Sequence, residues 1–311
     1  TDRYGVKKKL RKLEFDNKEK FKLALNAFEL LSKIKKSKLS VTSSIKSNKK
    51  IELYDHQIYA AVKVKNECGG SAILADEVGL GKTIEAGIIL KEFLISGLPK
   101  SVLILVPPSL MYQWQDEFES KFDLNFVKQR DDKRFIDPAS HELLIMSHSS
   151  ATFPTQKNFL KKRDWDMVIV DEAHTCARPA GAQKSQQQRH HLLSDIAQKE
   201  NQHLMLLTAT PHSGKAEEFR SLLGLLKPHF EETELPTATQ DHRKEVAKHF
   251  IQRKRADVEQ WMDEKTDFPK RDPGEFPYDL KPKYLNFFGD MLAFAHGLTK
   301  TGEKHGGRKR L

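Results

Sequence analysis

The stretch Ile73–Ile84, reading ILADEVGLGKTI, constrains this chain more than any other. Ile73, Leu74 and Ala75 form an apolar run that suits a buried strand; Gly79 and Gly81 then open a tight turn, and Thr83 to Leu90 continues at helix-compatible spacing. Strand, glycine turn and helix in that order suit a polyanion: backbone N–H groups in the turn face it, and the positive end of the helix adds to the field. Lys82 would reach the β- and γ-phosphates of a nucleotide and the Thr83 hydroxyl would ligate Mg²⁺. In the strict G-x-x-x-x-G-K-[ST] pattern the first glycine falls on Asp76, so the match is partial. The competing reading is an ordinary glycine turn followed by a chance Gly-Lys-Thr.

Composition narrows the classes. With 311 residues, 38% of them apolar, the chain can bury a sizeable core as one large domain or two small ones. No apolar run approaches the roughly 18–20 residues of a membrane span, and Thr1–Leu10 has the charge but not the apolar centre of a secretory signal. Cys68 and Cys176 are far apart and outside any C-x-x-C spacing, which argues against a disulfide framework or zinc ribbon and for a reducing cytoplasm. Thr1–Lys50 holds 16 Lys/Arg against 5 Asp/Glu, and Ile51–Leu311 holds 37 against 38. A basic arm on a near-neutral body suits nucleic acid, and less often an anionic membrane surface or an acidic protein; a solvated helix without a partner is the bland alternative.

The chain divides into three parts. In residues 1–50, Leu10, Leu13, Phe21, Leu25, Phe28 and Leu31 recur at helical spacing within Lys8–Ile34; a Ser/Lys-rich linker follows, with Val41–Ile45 a possible short strand. Residues 51–260 alternate helical stretches with five apolar runs: Ser71–Ala75, Val102–Val106, Leu143–Met146, Met167–Val170 and Leu204–Leu207. Apolar throughout, these read as strands buried on both faces, so the expected architecture is an α/β fold with a mostly parallel sheet flanked by helices. A basic helix is expected over His242–Trp261. Residues 261–311 read as a Pro-rich connection, a helix over Tyr284–Leu298 and a Gly/Lys tail.

Two further motifs carry chemistry. Val168–His174, VIVDEAH, is an apolar strand ending in two carboxylates; beside a phosphate loop, Asp171 can hold Mg²⁺ and Glu172 can act as general base. Adjacent acids at a strand end are usually only a turn, and the phosphate loop is what favours catalysis. His174 and Cys176 form too small a group for zinc, which leaves a coupling or structural role. In Leu207–His212, LTATPH, the Thr208 and Thr210 hydroxyls can bond acidic groups on a neighbouring strand.

Taken in order, DEVGLGKT, DEAH and LTATPH resemble motifs I, II and III of superfamily-two helicase-like ATPases, and within these the chain resembles the Swi/Snf-type DNA translocases, particularly the bacterial RNA-polymerase-associated branch. LYDHQ (Leu53–Gln57) resembles the adenine-reading segment, VLILVPPSLMYQW (Val102–Trp114) motif Ia, Leu144–Ser147 the next DNA-contacting segment, and FIQRKRADV (Phe250–Val258) the basic segment after the first lobe. That family tolerates Asp in place of the first loop glycine. The resemblance covers about Ile51–Tyr278 and not the arm before it.

The resemblance implies a RecA-like P-loop lobe using ATP and Mg²⁺ on double-stranded DNA, with a DNA-bound protein complex as a target for remodelling. It implies that Gln57 reads the adenine edge with Tyr54 nearby, that Glu77 and Leu80 belong to the nucleotide-binding loop in which Gly79, Gly81, Lys82 and Thr83 bind phosphate, and that Thr83 and Asp171 hold Mg²⁺. Lys82, Asp171 and Glu172 would be catalytic, His174, Thr208 and Thr210 would couple, and Pro107, Ser109, Gln113 and Ser147 would lie near the DNA backbone. Such ATPases pair two lobes, and the 31 residues after Leu280 are far fewer than the roughly 150 of another lobe, so the expectation is the N-terminal part of a longer protein. A strand-separating DNA or RNA helicase and a nucleotide-gated scaffold are the alternatives.

Overall fold

The computed structural model describes residues 39–41, 51–97, 99–129, 142–179, 181, 183–197, 199, 202–211, 215–261, 274 and 277–304. The amphipathic pattern of Lys8–Ile34 lies outside them. All five apolar runs are strands: β1 (Ala72–Leu74), β2 (Val102–Val106), β4 (Leu143–Ser147), β5 (Met167–Val170) and β6 (His203–Leu207). Along β2, Val102, Ile104 and Val106 enter one hydrophobic cluster and Leu103 and Leu105 the other, so the strand is buried on both faces with the period of two that a pleated chain imposes.

Two-residue strands β3 (Val127–Lys128) and β7 (Phe250–Ile251) complete a seven-stranded sheet in the order β3-β4-β2-β5-β6-β1-β7. Every pairing among these strands is parallel. All carboxyl ends therefore share one edge, where ligands sit in open α/β sheets. Strand β6 lies between β1 and β5, with Leu207 opposite Leu74 and Leu206 opposite Val170, so the ends of these three strands are level.

Helices α1 (Asp55–Asn66), α2 (Lys82–Ile95) and α3 (Met111–Phe122) supply side chains to the first cluster, including Val64, Ile89 and Phe118. Beyond the short α4 (His148–Ala151), α5 (Pro154–Lys162), α6 (Lys184–Ala197), α7 (Ala216–Leu226) and α8 (Pro228–Glu231) supply the second cluster with Leu160, Leu192, Leu222 and Phe230.

Three expectations change. The single basic helix over His242–Trp261 is instead α9 (Gln240–Lys248), β7 and α10 (Arg255–Trp261). Phe250 and Ile251 pair with Ile73 and Leu74, giving the outer edge of β1 the partner that a continuous helix would deny it. Val41, the described residue of the possible strand at Val41–Ile45, is helical. It is also fully buried, with Leu39, in the first cluster, and its N–H donates to Glu92 Oε2 at 2.8 Å. The lobe's core thus begins before Ile51.

The chain separates into two compact units, Thr1–Thr266 and Asp267–Leu311. In the second, α11 (Pro282–Lys304) runs past the expected end at Leu298. No helix among the described residues is long and apolar enough to cross a membrane.

Candidate nucleotide-binding site

The glycine turn after β1 has the backbone that its sequence demands. Gly79 and Gly81 hold φ of 91° and 86°, and a Cβ at Gly81 would stand 2.5 Å from Gln57 Nε2. Lys82 opens α2, and its ammonium donates to the Asp76 carbonyl at 2.7 Å, in the mouth of the loop. Thr83 follows, part exposed.

The loop is braced from α1. The buried His56 and Gln57 both reach the Leu80 carbonyl, at 2.9 and 3.3 Å, while the Leu80 N–H donates to the Glu77 carbonyl. Gln57 Oε1 accepts the Tyr54 N–H at 3.4 Å, and the Tyr54 hydroxyl donates to Glu52. Leu80 thus serves the shape of the loop with both of its backbone groups, and Gln57 spends part of its amide on that shape. Glu77 is exposed at the rim, where its carboxylate accepts the Arg255 N–H at 2.9 Å.

Asp76, at the first-glycine position, is fully buried. Its Oδ2 accepts from Arg253 Nε and Nη2 at 2.9 and 2.5 Å, and the same Nη2 donates to Glu85 Oε1 at 2.6 Å. Arg253 also donates to the His56 carbonyl. One guanidinium thus ties β7, α1, the phosphate loop and α2 together. Burial, then the charge of Asp76, push the Glu85 carboxyl well above the usual carboxylate range, which favours its neutral form beside Asp76. Sequence reading passed over Arg253 as one more cation in a basic run, and nothing local to that run distinguishes it.

At the end of β5, Asp171 Oδ1 accepts the Glu172 N–H at 2.8 Å and Oδ2 accepts the indole N–H of Trp114 at 2.9 Å. Burial raises the Asp171 carboxyl, against those two donors and the charge of Lys82. Glu172 sits in the left-handed region at φ 46°, a conformation shared among the described non-glycine residues only with Asp123. Strain of this kind gathers at functional sites. His174 Nδ1 lies 3.2 Å from Glu172 Oε2 and 3.1 Å from Thr208 Oγ1, and that hydrogen bond to His174 is the first cause holding the Glu172 carboxyl below the usual range. Thr208 Oγ1 also accepts the N–H of the exposed Thr210. His212 lies outside the described residues.

On the same edge, Ser109 and Gln113 are exposed and Pro107 half-buried. Ser147 differs from its expected role: it is 0% exposed, and its hydroxyl accepts the Ser150 N–H as the cap of α4. Its neighbour Ser149 is the exposed hydroxyl of that turn.

ATP and Mg²⁺ fit these residues. The glycine turn leaves no room for a Cβ at Gly81, and the Lys82 charge acts on both Asp171 and Glu172, which places phosphate loop and acids within one field. No cluster of three or more His, Cys, Asp or Glu that could cage a metal occurs among the described residues. Magnesium, which keeps waters and phosphate oxygens around one or two protein ligands, suits such a site better than zinc.

A parallel sheet of this order, with a glycine loop after one strand and paired carboxylates two strands away, defines a RecA-like P-loop lobe. The SNF2-related domain matches residues 29–267, and the chain belongs to that family. The uncharacterized ATP-dependent helicase YqhH of Bacillus subtilis (strain 168) is 39% identical over 173 residues, 56% of this chain and 29% of that protein. The RNA polymerase-associated protein RapA of Proteus mirabilis (strain HI4320) is 32% identical over 224 residues, 69% of this chain and 22% of that protein. The chain thus spans less than a third of these relatives' length. The Sulfolobus solfataricus SWI2/SNF2 ATPase core, solved in complex with dsDNA, shares the fold at a TM-score of 0.55 and 20% identity, over 68% of this chain and 46% of that one.

Proposed function

We propose that this chain is the ATP-binding lobe of an ATP-dependent double-stranded DNA translocase that remodels or displaces DNA-bound proteins in the cytoplasm. The observation that carries this reading is the level alignment of β1, β6 and β5, with Lys82, Thr208 and the Asp171–Glu172 pair on one edge and His174 bonded between Glu172 and Thr208. Lys82 and the loop N–H groups bind the phosphates, and Thr83 with Asp171 would hold Mg²⁺, which when bound would supply positive charge to the phosphoryl groups. Glu172, kept ionised, takes a proton from the attacking water. His174, Thr208 and Thr210 link that base to the loop after β6, and Ser109 and Gln113 offer short polar groups to the DNA backbone. The names of two relatives support the partner: RapA is RNA polymerase-associated and the Sulfolobus core was solved on dsDNA.

Calorimetric titration with ATP and Mg²⁺ tests the site. Lys82→Ala removes a charge-assisted contact of about 1.5–3 kcal/mol, so affinity falls roughly ten- to a hundredfold, while Cys68→Ala leaves it unchanged. Equal affinities in both variants would remove the nucleotide assignment. A strand-separating helicase is the second reading, on the strength of the name of YqhH. Duplex displacement by the full-length parent protein decides between the two.

A further inference from the structure

Trp114 joins the first turn of α3 to the acid proposed to hold the metal. It is 2% exposed, and its indole N–H, a group that can only donate, reaches Asp171 Oδ2 at 2.9 Å. The ring cannot turn away. It stacks on Phe118 at 5.2 Å, and Phe118 packs on Phe122 and Phe126 at 5.6 and 5.5 Å. Gly87 of α2 completes the confinement, because a Cβ there would lie 2.1 Å from the Phe122 ring. On the opposite side of the same turn, Tyr112 and Gln113 are exposed, and Ser109 precedes them in the 3-10 turn Pro108–Leu110 that leads from β2. Strand β2 is the direct neighbour of β5, so helix and carboxylate hang from adjacent strands.

We infer that Trp114 is a positioning residue that aims the Asp171 carboxylate at Mg²⁺ and transmits displacement of α3 by DNA to that carboxylate. With Glu172 N–H on Oδ1 and the indole on Oδ2, each oxygen has one fixed donor, and the plane of the carboxylate is set by the two together. A shift of α3 moves the Oδ2 donor and leaves the Oδ1 donor in place, so it rotates the carboxylate instead of translating it. The inference rests on the reading of Asp171 as the Mg²⁺-binding acid and of Ser109 and Gln113 as DNA-backbone contacts.

Two experiments on this chain test it. In a variant with Trp165→Phe and Trp261→Phe, Trp114 is the remaining indole; its emission should change on adding ADP with Mg²⁺ and not on adding ADP with EDTA. In Trp114→Phe the ring stack survives and the donor is lost, so ADP affinity in EDTA stays at the wild-type value while the Mg²⁺ concentration for half-maximal tightening rises roughly tenfold. Duplex DNA should lower that Mg²⁺ concentration for the wild type and not for Trp114→Phe. An emission indifferent to Mg²⁺, a wild-type Mg²⁺ requirement in Trp114→Phe, or an equal DNA effect in both proteins overturns the inference while leaving the nucleotide site intact. If Trp114→Phe does not fold, the single-indole emission decides alone. Absence of any Mg²⁺-dependent ADP binding by the wild type would instead overturn the nucleotide site, and this inference with it.

Discussion

Arg253 donates from Nε to Oδ2 of Asp76 at 2.9 Å, and this contact accounts for an aspartate where the phosphate-loop pattern has glycine. Glycine at that place gives the loop freedom; here the loop is instead fixed by a side chain, through a guanidinium delivered by the segment after β7. The same guanidinium meets Glu85 in the first turn of α2 and the His56 carbonyl in α1. Removing one partner of a buried ion pair leaves the other charge without compensation, which costs more than the pair contributes when intact.

Arg253→Ala is therefore expected to destabilise the chain by about 3–5 kcal/mol in urea unfolding. Glu85→Gln should cost far less, because burial and the charge of Asp76 raise the Glu85 carboxyl and so favour the protonated form that glutamine mimics. The pH dependence follows from the same proton. Between 4.5, the ordinary value, and its raised native value the folded chain binds more protons than the unfolded one, so this group's contribution falls as pH rises. Wild type should lose stability relative to Glu85→Gln on going up through that window. A parallel pH profile in the two proteins would show that Glu85 is ionised.

His174 is expected to tune the base. Its ring nitrogen is the first cause holding Glu172 below the usual carboxylate range; burial opposes it, and His174, Lys82 and His148 add to it through space. In the parent protein, His174→Ala should therefore move the acid limb of the ATPase rate profile to higher pH, because Glu172 must lose its proton to accept one from water. Nucleotide affinity should change little, since His174 touches Glu172 and Thr208 and not the glycine loop. The profile of kcat against pH is the measurement; an unmoved limb would detach His174 from the base.

Much of this arrangement was legible in the sequence, for a physical reason. The five longer strands are buried on both faces and so read as unbroken apolar runs, and the phosphate loop declares itself because the two glycines that supply its positive φ and the Lys82–Thr83 pair after them are adjacent in the chain. Strands β3 and β7 are two residues each, too short for any periodicity, and β7 lay hidden inside a basic run. The braces of the site were not legible. Trp114 to Asp171 and Arg253 to Asp76 span 57 and 177 residues, and such partners are fixed by strand order, which no local pattern contains. Ser147 shows the converse: a hydroxyl at the right place in a motif is consumed by the N-terminus of α4.

His148, which follows that cap, should make the chain acid-sensitive. It is buried against the Leu105 carbonyl and the Thr175 hydroxyl, and burial, then the charge of Arg189, push its imidazole down to about 4 from the ordinary 6.5. The native ring is neutral. Between those two values the unfolded chain binds the proton and the folded chain does not, so stability is present above 6.5 and is lost as pH falls toward 4. The total is about 3 kcal/mol from a single group. Unfolding of His148→Gln, measured without metal across that range, should show a shallower fall than wild type; equal slopes would mean that the native ring is charged.

The basic arm calls for a truncation placed by the structure. Leu39 and Val41 lie in the lobe's core and Val41 is bonded to Glu92, so deleting Thr1–Lys50 would remove packing together with charge. Deletion of residues 1–36 separates the two. If the arm engages DNA it meets phosphates without reading bases, and each neutralised phosphate contributes about −0.9 to the slope of log K against log salt. Anisotropy of a labelled duplex across a salt series should then show a slope flatter by several units in the truncated chain, with its melting temperature close to that of the intact one. The competing outcome follows from Phe21, Leu25, Phe28 and Leu31, which recur at helical spacing and would dock such a helix on the lobe. In that case the slope is unchanged and the melting temperature falls, because the apolar face that is lost had been buried and the charges had only been solvated.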